Sequence, residues 1–235
     1  MARHLGPPDG RRLLDVGAGT GNYAQVMRAR GFDAIAVDVE PEMLARSVPK
    51  LGPGRQVVGD STALPFRDES FDCATIVIAL HLMRPPQRAL AEARRVIRGG
   101  PLIVVGFTAE QVERLFVREY FPDSDRWVPR ENPPHAMYER WAREAGFSRV
   151  ESETFVYLDT ADASLPALHT DPYKLAGPAY LRNTSFFQRL PEDVRREGLA
   201  KLAQALRSGE LERRAKEWFR DSVPTGHGTV FAFWP

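Results

Sequence analysis

The sequence predicts an α/β protein with a doubly wound, mostly parallel sheet of seven strands and a helical insertion before the last strand. Three observations carry that reading. Short apolar runs alternate with helix-spaced segments from residue 12 to residue 106, a glycine-rich turn follows the first run, and residues 158–227 have helical spacing without strand character.

Arg12-Leu-Leu-Asp-Val-Gly17 is a strand that runs into Gly-Ala-Gly-Thr-Gly, and Asn22 to Arg30 has helical spacing that stops at Gly31. Ala34 to Asp38 is the second strand, and Pro41 falls in the first turn of the helix after it, where a missing N–H costs nothing. Gln56 to Gly59 reads as strand three, Asp72 to Leu80 as strand four, Gln87 to Ile97 as a helix and Leu102 to Gly106 as strand five. Continuous apolar runs such as these belong in a parallel sheet covered on both faces, its strands joined by crossovers.

After Gly106 a helix is expected over 109–120, then a connection through Pro122, Pro129, Pro133 and Pro134, and a helix ending at Gly146. Ser148 to Tyr157 alternates like a half-covered strand, and Thr229 to Trp234 reads as the last one. Between them lie about 70 residues, too many for a hairpin loop. Pro191 to Arg207 and Glu210 to Arg220 supply the helical periodicity there. The expectation is one domain over 1–235 with an insertion over 158–227 serving as a lid. There is no repeat of fixed period.

Composition narrows the function. Of 235 residues, 27% are charged and the formal net charge is +1, so no global field draws in a nucleic-acid backbone. The basic clusters Arg94, Arg95, Arg98 and Arg213, Arg214, Lys216 read as solvated helix faces. Cys73, the single cysteine, sits in an apolar run and reads as a buried strand residue. Neither a leader pattern nor an apolar run of about 18 residues is present, which predicts a cytoplasmic protein without membrane insertion. Zinc-ligand spacing, a Gly-x-Ser-x-Gly turn and a Walker-type lysine are missing too. Oligomeric state leaves no mark that can be read.

The chemistry gathers where an open α/β sheet binds ligands, beyond the carboxyl ends of its strands near the reversal of strand order. Asp15-Val-Gly17-Ala18-Gly19-Thr-Gly21 lets a ligand approach the backbone at a helix N-terminus. Asp38, 21 residues beyond Gly17, can accept hydrogen bonds from both hydroxyls of an adenosine ribose. The Gly-x-Gly-x-Gly spacing differs from the dinucleotide pattern. An acid at position 15 would repel a pyrophosphate and attract a cationic amino group.

These residues resemble the class I S-adenosylmethionine-dependent methyltransferases, the group that includes the ubiquinone and menaquinone biosynthesis enzymes. Leu13 to Gly21 looks like that family's first motif and Val37 to Leu44 like its second. Gly59 to Phe66 with Ser70-Phe-Asp72 resembles the third, and Arg94 to Gly100 the turn into strand five. The likeness covers residues 11 to 106, with weaker agreement at Glu144 to Phe147. It implies S-adenosyl-L-methionine as cofactor. Asp15 would face the methionine amino group, with Gly17, Ala18, Gly19 and Gly21 lining that end and Ala79 beneath it. Asp38 would hold the ribose, Met43 would pack on the adenine, Asp60 would accept from its amino group, and Ser61 and Ala63 would lie close to the ring. Many relatives carry cofactor-covering helices ahead of strand one, where this sequence has only about a dozen residues. The insertion is expected to close the site instead.

A methyl on a sulfonium already has a good leaving group, so alignment and exclusion of water come first. A base is needed only for an acceptor that loses a proton. His81, just after strand four, and His135, at a helix start, are the candidates. Tyr23, Tyr180, Arg182 and Phe186 are candidate walls of an acceptor pocket, and the stretch from Pro178 to Phe187 shows no strong period. The acceptor expected is a small molecule. The competing readings are an NAD-dependent oxidoreductase, a binding protein without turnover, and a methyltransferase acting on RNA or protein.

Overall fold

The computed structural model describes residues 1–128, 132–158 and 165–235. Pro129 of the expected connection and residues 159–164 of the expected insertion lie outside the described residues. The chain divides into two compact units, Met1–Phe107 with Pro133–Glu153 and Thr229–Pro235, and Thr108–Asn132 with Thr154–Gly228.

The first unit is built on the sheet. Its strands are β1 (Arg12–Val16), β2 (Asp33–Asp38), β3 (Gln56–Val58), β4 (Cys73–Val77), β5 (Leu102–Gly106), β6 (Arg149–Phe155) and β7 (Gly228–Trp234), in the order β3-β2-β1-β4-β5-β7-β6. β1 to β5 are parallel, and β7 runs antiparallel to β5, Leu102 opposite Phe233 and Gly106 opposite Thr229. Strand order reverses between β1 and β4, so the crossover helices α1 (Asn22–Ala29) and α2 (Pro86–Val96) fall on opposite faces, given right-handed connections.

Pleating sorts the side chains. Leu14, Val16, Ala74, Ile76, Leu102 and Val104 join one core with Ala89, Leu90 and Ala93 of α2 and with Tyr138 and Ala142 of α3 (His135–Glu144). Tyr138 stacks on Phe231 at 4.4 Å and donates its hydroxyl to the carbonyl of Phe107 at 3.2 Å. The odd-numbered positions Leu13, Asp15, Cys73 and Thr75 point to the α1 side. Cys73 is buried as expected, and burial pushes its thiol up to about 12, so it is no nucleophile.

Some element bounds depart from the sequence reading. β4 stops at Val77 because Ile78 takes a positive φ of 53°. The helix expected over 109–120 is one α turn, Ala109–Val112, followed by a 3₁₀ turn, Phe116–Tyr120. Leu115, Phe116 and Val117 are consecutive and all buried, which one face of a continuous helix cannot achieve. The stretch without period holds two short helices, Pro178–Asn183 and Ser185–Arg189.

The second unit is helical, with α4 (Leu165–Thr170), α5 (Glu192–Arg207) and α6 (Glu210–Ser222) its other main elements. Phe186 and Phe187 meet the Phe121 ring at 5.3 and 5.7 Å, and Gly198 of α5 leaves the space that Phe121 fills. Among the described residues, no helix is long and apolar enough to cross a membrane.

Candidate functional site

The glycine turn is shaped by backbone demands. Gly17, Gly19 and Gly21 have φ of 69°, 53° and 74°, a region that side chains disfavour. A Cβ on Gly17 would stand 2.9 Å from the Cβ of Ala79, and one on Gly21 would stand 2.6 Å from the Cβ of Ser47. The amides of Gly17 and Ala18 both donate to the carbonyl of Val37, at 2.9 and 3.1 Å, which ties the turn to the end of β2. Lys50 Nζ donates to the carbonyl of Thr20 and to Asn22 Oδ1, which fixes the entry to α1.

Asp38 closes β2 with its carboxylate against that turn. Oδ2 accepts from the Gly19 amide at 2.7 Å, and Oδ1 accepts from the Glu40 amide at 3.0 Å. Each oxygen keeps a second lone pair for a ligand. Met43 follows, 38% exposed, its terminal methyl 3.6 Å from where a Cβ of Gly19 would stand. Val39 and Val58 are also exposed at these strand ends.

Asp15 lies deeper. It is 2% exposed, opposite Thr75 in the β1–β4 register, and Thr75 Oγ1 donates to it at 2.7 Å. It also accepts from the amide of Ala24, one of the otherwise unpaired N–H groups of the first turn of α1. Burial raises its pKa to about 6 despite these two bonds, and the Asp38 charge adds to the rise. A cation seated nearby would oppose that rise and favour the ionised form.

Asp60, Ser61 and Ala63 occupy the loop after β3, which the amide of Gly59 joins to the carbonyl of Asp38 at 3.0 Å. Asp60 is exposed and accepts from the Thr62 amide and hydroxyl, which holds its carboxyl below the usual range. The sequence reading missed what fastens this loop. Glu92 of α2 accepts from the Leu64 amide at 2.9 Å, and Arg95 donates to the carbonyls of Leu64 and Phe66 and pairs with Glu92 and Asp68. Arg95 is therefore a clamp rather than part of a solvated face.

Ile78 was also missed. Its φ of 53° is a rare conformation for a β-branched residue, and it turns the chain so that Ala79 abuts Gly17. No sequence signal marks it, since a glycine is the residue such a position suggests.

His81 stays at this corner, half-buried in the 3₁₀ turn Leu80–Leu82 that follows β4, with its carbonyl accepting from Arg84. Tyr23 is half-buried in the first turn of α1. His135 is elsewhere. Its Nε2 lies 3.0 Å from Ser152 Oγ on β6, and its ring is 5.0 Å from that of Phe231 on β7, opposite the middle of β5. With adjacent strands about 4.8 Å apart, that is roughly 10 Å or more from β4, so His135 is not placed to take a proton at the corner. In the second unit Tyr180 and Phe186 are 8% and 3% exposed, Phe186 beneath the Arg118 guanidinium, and both pack that unit's interior, while Arg182 is exposed.

Residues 14–105 match the methyltransferase domain family. The chain is 41% identical over 110 residues to the demethylmenaquinone methyltransferase of Renibacterium salmoninarum, a match to 44% of this chain that spans less than half of the relative's length, 44%. It is 35% identical over 179 residues to the ubiquinone/menaquinone biosynthesis C-methyltransferase UbiE of Paracoccus denitrificans, covering 64% of this chain and 72% of that one. A crystal structure from Anabaena variabilis, described as a methyltransferase from an antibiotic biosynthesis pathway, superposes with a TM-score of 0.82. That match covers 99% of this chain and 94% of the other at 23% identity, and it speaks to the fold alone.

Proposed function

The chain belongs to the class I S-adenosylmethionine-dependent methyltransferases of the ubiquinone/menaquinone biosynthesis type, and from that premise we propose that its glycine corner binds S-adenosylmethionine and that the protein methylates a small molecule. The observation that carries this is the Asp38 carboxylate, fixed by the Gly19 amide at 2.7 Å beside exposed Met43 and Val58. A ring-and-hydroxyl ligand needs that pairing, apolar surface next to acceptors with lone pairs to spare.

Asp38 would accept from the ribose hydroxyls, Met43 would cover one face of the adenine, and Asp60, with Ser61 and Ala63, would border its edge. The glycines give the methionine end its room. Asp15, buried below, sets a negative potential there that favours an ammonium group and disfavours a pyrophosphate. When bound, the cofactor supplies a methyl group on a positively charged sulfur. The protein's share is to hold the acceptor in line and keep water out. His81, beside Ala79, is the side chain in reach of an acceptor proton.

Calorimetric titration of S-adenosylmethionine and, separately, of NAD into the protein and its Asp38→Ala variant tests the reading. The expected result is micromolar binding of the methyl donor, weakened about tenfold to a hundredfold in the variant. Binding of NAD alone overturns it.

A further inference from the structure

Beside the glycine corner, one residue keeps a backbone conformation that its own side chain disfavours. Ile78 follows β4 with φ 53°, where a β-branched side chain crowds the backbone. Its amide completes the sheet by donating to the carbonyl of Val105 at 2.7 Å. Glycine or asparagine would make that bond with less strain, so the bond does not explain the isoleucine. Core packing is the usual reason for such a side chain, and the chain's other four isoleucines follow it. Ile76, Ile97 and Ile103 are buried, and Ile35 packs on the core cluster. Ile78 is half-buried and stands outside both the cluster and the partly buried side chains packed against it. Strain kept at the edge of a ligand site, without core packing in return, directs attention to what the side chain faces.

The neighbours define that edge. Ala79, the next residue, abuts Gly17, and the Met83 terminal methyl lies against the same glycine. Ile78 is therefore one residue from the methionine end of the donor. Leu82, further along, is 69% exposed, and from Ile76 to Met83 only His81 has a side-chain nitrogen or oxygen. The Arg84 guanidinium, which comes next, donates back to the carbonyls of His81 and Met83. An acceptor has to bring its attacking atom into line with the methyl and the sulfur, so the atoms flanking that attacking atom are the ones that meet this hydrocarbon edge.

We propose that Ile78 is a specificity-determining residue for methyl transfer, an apolar wall aimed by its left-handed backbone that selects acceptors carrying hydrocarbon beside the attacking atom. The inference rests on the assignment of the donor to the glycine corner.

Two neutral phenols of nearly equal size serve as probes. 2-Methylphenol has a methyl beside its hydroxyl where catechol has a second hydroxyl. With five isoleucines in the chain, the δ1 methyl of Ile78 can be followed in isoleucine-labelled protein, with and without S-adenosylhomocysteine, and assigned through Ile78→Val. 2-Methylphenol at up to about 10 mM should shift that methyl and bind about tenfold tighter than catechol, in the wild type and in Ile78→Val alike. Ile78→Asn keeps a residue that tolerates the left-handed backbone but makes the wall polar. There the preference should shrink to about twofold or less, while S-adenosylhomocysteine affinity holds and the melting temperature stays within about 3 °C of wild type or above it. A preference that survives in Ile78→Asn overturns the proposal, and so does a larger fall in melting temperature, which would show a side chain kept for packing. A wild type that binds S-adenosylhomocysteine while its Ile78 methyl ignores 2-methylphenol overturns this inference alone, whether or not the variant folds. A wild type that binds no S-adenosylhomocysteine overturns the donor assignment and this inference with it.

Discussion

Two of the buried polar side chains, Asp15 and His169, sit in contrasting settings. Asp15, under the glycine turn, is a charge-bearing group with two hydrogen bonds, one from the strand next to it and one from the helix above. His169, in the helical unit, is an uncharged group with none, its ring 4.3 Å from those of Phe116 and Trp218. The first is held by backbone geometry that only a few sequences satisfy, so its neighbourhood is written in glycines and carboxylates at fixed spacing. The second is held by ring packing, which many sequences satisfy and none announces.

The sharpest way to break the contrast is to damage the backbone geometry. Gly17→Ala adds a Cβ 2.9 Å from Ala79 at a φ of 69°. It should cost roughly 2–4 kcal/mol in stability and lower S-adenosylmethionine affinity by about a hundredfold or more, by thermal melts and calorimetry. A variant that binds and melts like the wild type would remove the geometric account.

Asp15→Asn sharpens it. Because the folded pKa of Asp15 lies near 6, above its unfolded value of 3.8, the fold favours the protonated carboxyl. Stability from this group is full below pH 4 and lost as pH rises through 6, about 3 kcal/mol in all. The asparagine variant should therefore lose that decline between pH 4 and 7 and be the more stable protein at pH 8, while binding the methyl donor about tenfold more weakly. Donor affinity of the wild type should rise with pH over the same window. A flat profile in both proteins would show that Asp15 carries no charge that matters.

A smaller effect is expected at the clamp. Glu92→Ala leaves the Leu64 amide without its acceptor and frees Arg95 from one of its two carboxylate partners. Hydrogen exchange over 60–66 should quicken, and donor affinity should drop about three- to tenfold, without loss of the sheet. The smallest effect belongs to His135→Ala, for which turnover with any acceptor should stay within about twofold of wild type, because the residue sits over β7 and β6, with β5 between it and the corner. A large loss of turnover would put a functional edge where the geometry shows none.

The legibility of the sequence follows the same division. Gly17, Gly19 and Asp38 could be read as candidates because a tight turn and a strand end restrict residue type, whereas Met43 and Ala79 came only with the family resemblance. Glu92 and Arg95 were hidden, since a Glu-x-x-Arg pair on a helix looks the same whether it faces water or clasps a loop. Ile78 was hidden for the opposite reason, a side chain standing where local preference asks for none. In the helical unit, periodicity disclosed α5 and α6. It could not disclose that Leu115, Phe116 and Val117 all turn inward, or that Tyr180 and Phe186 are buried.

The position of β7 bears on how the chain is made. In the sheet it lies between β5 and β6, yet it is the last strand in chain order. Throughout synthesis the flanks of β5 and β6 that will receive it have no partner, and two bare edges of that kind invite pairing with other chains. Only when residues 228–234 leave the ribosome can the sheet close. Emergence of residues 228–234, rather than growth of the β1–β5 half, is then the event that ends its exposure to aggregation.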